Sequence, residues 1–445
     1  MATRLSIVAD STSRMNDRIP VTIVSGALGA GKTTLLNHLL TNNEGRAIAV
    51  LVNDMGEINV DAELIESGTE LDPAAGVAEL SNGCICCERQ DDLETEVARL
   101  AADRDFDYLV VEASGISEPE PIARLFTTES RAAALYEVDT TVTVVDGRVF
   151  HDTFAGDDRP ERETAPGDES RPLSDLLIEQ VEFCDVTLVN KCDLLAVNER
   201  ERVETLVEAL APTASIVPTS FGEVDPDEVL GTGRFDPLEA GERAGWRQAF
   251  EHASEEDDHG HDGHGGHDHD DLEGHEGHDH HHAGHDHDDH DDHHHRHPED
   301  VYGVGSFAFL RDRPLHPERF RAFLESLPEN VVRAKGRCWV AGREEAVQVL
   351  NVAGSSVRVE VAGRWIASLP EPQRGLYREN RPTDRWDPAY GDREVRLVFI
   401  GTDLDEDGLR EALDACLLTE AELDEEWDRY ENPFPRDEED VLVVD

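Results

Sequence analysis

The sequence predicts an α/β protein: a doubly wound, mainly parallel sheet in the first half, then a second, smaller α+β domain. Three observations carry this. Short continuous apolar runs alternate with amphipathic segments through about residue 220. A stretch with almost no core-forming residues then interrupts the chain. Beyond it, strand-like runs resume with two helical segments among them.

The apolar β-rich runs are Val21–Ser25, Ala47–Asn53, Tyr108–Ala113, Thr141–Asp146, Val186–Asn190 and Ser215–Thr219. Runs this continuous fit strands buried on both faces of a parallel sheet. The intervening periodicity predicts helices over Lys32–Leu40, Asp91–Ala102, Leu173–Phe183 and Asn198–Leu210, which together make a three-layer domain. The acidic, Pro- and Gly-containing Gly156–Arg171 reads as a surface insertion. Residues 251–300 hold 18 of the 21 His, 19 acids, 7 Gly and a single leucine, so this composition predicts disorder in the absence of metal. In the second domain, strands are expected at Val304–Leu310, Val331–Ala341, Ala346–Val352, Val357–Val361 and Val395–Gly401. Helices are expected at His316–Leu327 and Asp407–Leu418. The division that follows is an extension over 1–19, a nucleotide-type domain over 20–236, a His/Asp-rich metal-binding linker over 237–300, a second domain over 301–420 and an acidic tail over 421–445.

The chain has 445 residues, too many for one ordinary core. Its formal net charge of -59, from 99 acids against 40 Lys and Arg, argues against nucleic acid or an anionic membrane as partner. The acids are spread along the whole chain, which suggests adaptation to high salt. No stretch approaches the ~18–20 apolar residues of a membrane span, and residues 1–19 lack the apolar core of a signal peptide. Three of the seven Cys are clustered and four scattered; this fits a reducing, cytoplasmic setting with metal or redox chemistry at the cluster.

Gly26-Ala-Leu-Gly29-Ala30-Gly31-Lys32-Thr33 matches the phosphate-binding P-loop in full, between a predicted strand and a predicted helix, with Thr34 following. Its glycines let backbone N–H groups converge on phosphates at a helix N-terminus. Lys32 reaches the β- and γ-phosphates in such loops, and the Thr33 hydroxyl coordinates Mg²⁺. Asn190-Lys191-Cys192-Asp193 follows an apolar strand. An N-K-x-D element at that place reads guanine, because its Asp accepts two hydrogen bonds that adenine cannot donate. Glu112 ends another apolar strand and is a candidate to act through Mg²⁺-bound water, with the Gly115 N–H sensing the γ-phosphate and Asp54 a further Mg²⁺ candidate.

Cys84-Ile85-Cys86-Cys87 places three thiols within four residues. Thiolates suit Zn²⁺ or Cu⁺, and three of them leave a position open for water, Glu57 or a client's ligand. An open site favours exchange over permanent structure. The His/Asp tract adds imidazoles, among them His278, His280, His281 and His282. Imidazole suits Zn, Ni, Co and Cu.

These motifs, in this order, resemble the CobW-like family of P-loop GTPases, which includes zinc-chaperone GTPases. The resemblance runs from about Pro20 to Leu418. Besides the P-loop and N-K-x-D, it rests on Val52-Asn53-Asp54-Met55-Gly56-Glu57, the Cys84–Cys87 element and Glu112-Ala113-Ser114-Gly115-Ile116-Ser117-Glu118-Pro119. In the second domain it rests on His316-Pro317-Glu318-Arg319-Phe320, Arg333-Ala334-Lys335-Gly336, Trp386-Asp387-Pro388 and Leu397-Val398-Phe399-Ile400-Gly401. It implies slow, Mg²⁺-dependent GTP hydrolysis coupled to loading or transfer of a metal, zinc foremost, to client metalloproteins. Rival readings are a metal buffer whose nucleotide domain only regulates, cobalt delivery for cobalamin synthesis, and an ATP-using enzyme, which the N-K-x-D element disfavours. The sequence leaves room for a homo-oligomer.

Overall fold

The computed structural model describes residues 18–43, 45–52, 77–79, 94, 97–101, 106–128, 130–156, 164–165, 168–240, 244–250, 303–380 and 386–444. Among the described residues, nine strands lie in the first half: β1 Ile19–Ser25, β2 Ile48–Val52, β3 Val77–Glu79, β4 Tyr108–Glu112, β5 Tyr136–Asp146, β6 Thr164–Ala165, β7 Asp168–Pro172, β8 Val186–Asn190 and β9 Ser215–Pro218. Seven of them form one sheet in the order β3-β2-β4-β1-β5-β8-β9. Every pairing in it is parallel. Strand β1 sits near the middle, with β2 and β4 to one side and β5 to the other. The chain therefore reverses direction across the sheet beside β1, where such sheets open a ligand crevice at the strands' C-terminal ends.

The residues explain the burial. Strands β2, β4 and β8 are buried at every position. On one face Val24, Val50, Val110, Val144 and Leu188 pack against Leu35, Leu36 and Leu39 of the helix Lys32–Thr41. On the other, Val21, Ile23, Leu109 and Val111 meet Ile122 and Phe126 of the helix Pro119–Thr127. Each such side chain contributes roughly 1.5–3 kcal/mol by burial.

Strand β5 begins earlier than the apolar run suggests. Its first half, Tyr136-Glu-Val-Asp-Thr140, alternates inward apolar with outward acidic residues. Asp139 is put to use there: its carboxylate accepts from the Tyr108 hydroxyl at 2.6 Å and the N–H groups of Thr232 and Gly233 at 3.0 and 2.8 Å. The segment expected as a surface insertion carries the antiparallel β6–β7 ladder. Of the helix expected over Asp91–Ala102, only Glu94 and residues 97–101 are described, and these are helical.

The second half builds an antiparallel sheet from β10 Val304–Arg311, β11 Val331–Cys338, β12 Ala346–Ala353, β13 Ser356–Arg364, β14 Val395–Thr402 and β15 Val441–Val444, in the order β10-β14-β11-β12-β13-β15. Alternation divides each strand between two faces. Phe307, Phe309, Leu397 and Phe399 face the helices Pro317–Glu325 and Glu406–Cys416. Val304, Ala308, Val398 and Ile400 face the helices Leu173–Glu182 and Val197–Leu210 of the first half. One helical layer is thus shared by both sheets. The domains expected from sequence as separate cores meet in a common one.

The stretch read as an acidic tail is corrected in one respect: it does not trail away. Phe434 is buried in the second core, and Val441–Val444 pairs with Val357–Glu360 of β13 as the sheet's last strand. The acids of this stretch dominate its composition and hide the Val-Leu-Val-Val run that does the pairing.

Candidate nucleotide-binding site

Four strands bring their C-terminal ends to one edge. Val24 stands beside Glu112, Ser25 beside Thr143, and Asp146 beside Asn190. The turns leaving β1, β4, β5 and β8 therefore surround one crevice.

The turn after β1 is the P-loop. Gly26, Gly29 and Gly31 adopt φ of 138°, 78° and 110°, values an L-residue with a side chain rarely takes. Two of them also lack room for a Cβ. At Gly26 it would stand 2.2 Å from the Val144 carbonyl oxygen, and at Gly31 2.2 Å from Asn190 Nδ2. At Gly29 nothing lies within 4 Å, so the loop is open on that side. Gly31 starts the helix Lys32–Thr41 and brings no side chain to cap it. That leaves the positive end of the helix dipole for an anion. Lys32 is buried and curls back over the loop, donating to the carbonyl oxygens of Gly26 at 2.9 Å and Ala27 at 3.3 Å. A lysine held over a glycine cradle at a helix N-terminus fits a nucleotide's phosphates.

The turn after β8 carries Asn190, Lys191 and Asp193. Asn190 Nδ2 donates to the Ala30 carbonyl at 2.8 Å, and its Oδ1 accepts from the Gly222 N–H at 3.1 Å. This one amide ties the P-loop to the loop after β9. Lys191 holds a left-handed φ of 61°, and its Nζ lies 2.6 Å from Asp146 Oδ2. The Asp193 N–H donates to Ser220 Oγ at 3.2 Å, and Asp193 itself is exposed, as an acid that reads a ligand must be. Cys192 is a turn residue: its Sγ lies 3.0 Å from the Val189 carbonyl, and burial pushes its thiol up.

The turn after β4 begins at the buried Glu112 and is held to β1 by the Ala113 N–H, which donates to the Val24 carbonyl at 2.8 Å. At Gly115 a Cβ would fall 2.6 Å from Leu28 Cγ, so this turn and the P-loop touch where only glycine fits. Gln180 Nε2 donates to the Ser117 carbonyl at 3.2 Å and steadies the turn from the shared helical layer.

The structure thus brings together the predicted Gly26, Gly29, Ala30, Gly31, Lys32, Thr33, Thr34, Glu112, Gly115, Asn190, Lys191 and Asp193. Asp54, Glu57, Cys84, Cys86, Cys87, His278, His280, His281 and His282 lie outside the described residues. Among the described residues no group of three or more His, Cys, Asp or Glu is placed to hold a metal. The four described cysteines form no disulfide with one another. Burial pushes the Cys338 thiol up and Cys416 to about 11, so neither is a ready thiolate. Sequence reasoning passed over Asp146 and the Ser220-Phe221-Gly222 loop. Their signals were a lone acid ending an apolar strand and a small-residue turn after the last strand of the sheet.

The family model "CobW/HypB/UreG, nucleotide-binding domain" matches residues 20–218, and "Cobalamin synthesis protein cobW C-terminal domain" matches 304–417. The Zinc-regulated GTPase metalloprotein activator 1 of Dictyostelium discoideum is 35% identical over 448 residues, covering 95% of this chain and 85% of its own length. The chain belongs to the CobW family of P-loop GTPases. Within that family, the Zinc chaperone CobW of Pseudomonas aeruginosa is 39% identical over 226 residues, 48% of this chain and 60% of that protein. The Zinc chaperone YjiA of Escherichia coli is 31% identical over 222 residues, 49% of this chain and 62% of that protein. The Zn(II)-bound YjiA crystal structure aligns over 90% of this chain and 100% of its own at 19% identity, with a TM-score of 0.37, a likeness too loose to build on. Among the described residues, no helix is long and apolar enough to cross a membrane.

Proposed function

We propose that this family member hydrolyses GTP with Mg²⁺, binds a transition metal, zinc foremost, at Cys84, Cys86 and Cys87 with Glu57 as a further ligand, and passes it to client metalloproteins in the cytoplasm. The observation that carries the nucleotide half is the convergence of the P-loop, the Glu112–Gly115 turn and Asn190–Asp193 on one sheet edge. Residues Gly26–Thr34 would hold the phosphates, with Lys32 offsetting their charge. Thr33, Asp54 and Glu112 would hold or orient Mg²⁺, which when bound polarises the terminal phosphoryl group. Asn190, Lys191 and Asp193 would take the guanine base. The metal half is supported by relatives that carry the names of zinc chaperones and a zinc-regulated activator, and by the soft donor set of the three cysteines. Cobalt is the alternative cargo.

The domain limits follow the same reading with two borders moved: 20–250 for the nucleotide domain, since Trp246 and Phe250 pack in the core common to both halves, 251–300 for the metal-binding linker, and 301–445 for the second domain, since Phe434 and Val441–Val444 belong to its core and sheet. The Cys84–Cys87 element lies in sequence between Asn53–Glu57 and Glu112, two stretches expected to meet the γ-phosphate. Nucleotide and zinc affinity should therefore be coupled, reciprocally and by roughly 5–150-fold. The test is zinc titration against a competing chelator with GTP, a non-hydrolysable analogue or GDP bound. It uses a chain lacking residues 257–297, so that His278, His280, His281 and His282 do not mask the thiolates. That deletion should itself lower metal stoichiometry while sparing hydrolysis. Replacing Cys84, Cys86 and Cys87 with Ser should remove the coupling. Equal zinc affinity in all three nucleotide states excludes a GTP-gated chaperone and leaves a metal buffer.

A further inference from the structure

We propose that Asp146, with Gly147 behind it, is the positioning residue of the base site: its carboxylate fixes Lys191 and so sets the pose of Asn190–Asp193. The proposal deepens the reading of that segment as the guanine reader and rests on it.

Three observations meet at this residue. Asp146 ends β5 directly beside Asn190 at the end of β8, so the two turns leave the sheet side by side. Its two carboxylate oxygens face different partners. Oδ1 accepts from the N–H groups of Arg148 and Val149 at 3.1 and 3.2 Å, capping the short helix Gly147–Phe150. Oδ2 lies 2.6 Å from Lys191 Nζ. The cap anchors the carboxylate to the framework, and the anchored carboxylate then holds the lysine. Arg148 does not compete for it, because its guanidinium pairs with Asp152 at 2.6 Å and Glu199 at 3.4 Å.

Lys191 needs such a hold. Its φ of 61° lies in the left-handed region, which costs a residue other than glycine free energy unless its surroundings enforce it. Gly147 supplies the second constraint. A Cβ there would stand 3.0 Å from the Asn190 carbonyl oxygen and 2.9 Å from Leu195 Cδ1, so the start of the helix presses on the base segment from behind. Asp146 and Gly147 together leave Asn190–Asp193 one pose.

The competing role for Asp146 is that of a helix cap alone, and Asp146→Asn separates the two. Asparagine caps as well as aspartate, but with its one amide oxygen on the cap it turns an uncharged NH2 group, not a carboxylate oxygen, toward the Lys191 ammonium. The expected result is GTP and GDP binding about tenfold weaker, the scale of one charge-assisted hydrogen bond. ATP binding should change less, so that the GTP-to-ATP preference narrows. The loss should appear in KM more than in kcat, with the thermal midpoint of the nucleotide-free protein in place. Gly147→Ala, which leaves the carboxylate intact but crowds Asn190, should narrow the same preference. Unchanged nucleotide preference in Asp146→Asn, or a loss that only follows a lowered thermal midpoint, overturns the positioning role. Asp193→Asn, measured alongside, should shift binding toward xanthine nucleotides. If it does not, the base reading falls and the proposal with it; if it does while Asp146→Asn keeps full guanine preference, the positioning role alone fails.

Discussion

Asn190 and Lys32 do their work by bonding to backbone. The Asn190 amide bonds the P-loop at Ala30 and the β9 turn at Gly222, and the Lys32 ammonium bonds the P-loop carbonyls. Each side chain thereby sets the shape of the P-loop. Lys32→Ala removes the cation expected to offset phosphate charge, and phosphate release should fall on the order of 10²–10³-fold. Release unaffected by this change would place hydrolysis elsewhere. These residues were legible in the sequence because their chemistry demands rare types at fixed spacing, as in three glycines and a lysine before a helix. Asp146 was not, since one acid at the end of an apolar strand is commonplace and its partner lies 45 positions on. Ser220 was hidden for a related reason: a loop's place beside Asp193 is set by the order of strands, which no local pattern records.

At the level of elements, the helix Leu173–Glu182 decides how the two halves join. Its apolar residues were readable as an inward stripe. Asp175 and Glu182 read equally well as its wet face, yet both are buried. A second sheet covers that face, and the periodicity of one helix carries no trace of a partner some 150 residues away. Glu182 grips Arg333 with both oxygens, at 2.7 and 2.8 Å, and the arginine also donates to Asn351 Oδ1 and the Val352 carbonyl. Removing one partner strands the other charge. Glu182→Ala should therefore cost about 3–5 kcal/mol in denaturant unfolding, whereas Glu182→Gln combined with Arg333→Met should cost much less. Similar losses in both variants would mean that the charge pair is not what the site depends on. Asp175, two turns earlier, faces Ser356 and Arg358 of the second sheet at 3.3 and 3.2 Å. Burial pushes its carboxyl up to about 6, and Arg358 offsets only part of that. A folded pKa above the unfolded one means that the folded state holds the proton more tightly. The stability linked to this proton is fully present below the unfolded pKa and is lost as pH rises through about 6. Asp175→Asn should lack that decline, so its stability relative to the unmodified chain should rise between about pH 4 and 7, by on the order of 2–3 kcal/mol at most. A constant difference across that range would refute the shift.

For the whole molecule, the dominant quantity is a net charge of -59 on 445 residues. Self-repulsion on that scale weakens the compact state unless it is screened, and the screening length shortens from about 8 Å at 0.15 M salt to about 3 Å at 1 M. The thermal midpoint should climb by several degrees over that interval. A flat or falling response would count against adaptation to high salt and leave the charge as surface decoration. Charge and composition were plain from the sequence; the merging of two predicted domains around one helical layer was not, because it is a fact of packing between distant segments. That layer bears on how relatives of this chain can be recombined. Leu177, Val181, Leu206 and Val207 present one apolar surface to Val304, Ala308, Val398 and Ile400, with the Glu182–Arg333 pair set into the seam. A chimaera joining this first half to a relative's second half inherits both sides of that seam from different ancestors. Matched nucleotide motifs would not rescue it: compatibility is decided by shape and charge along the joint, so the exchangeable module is the two halves together.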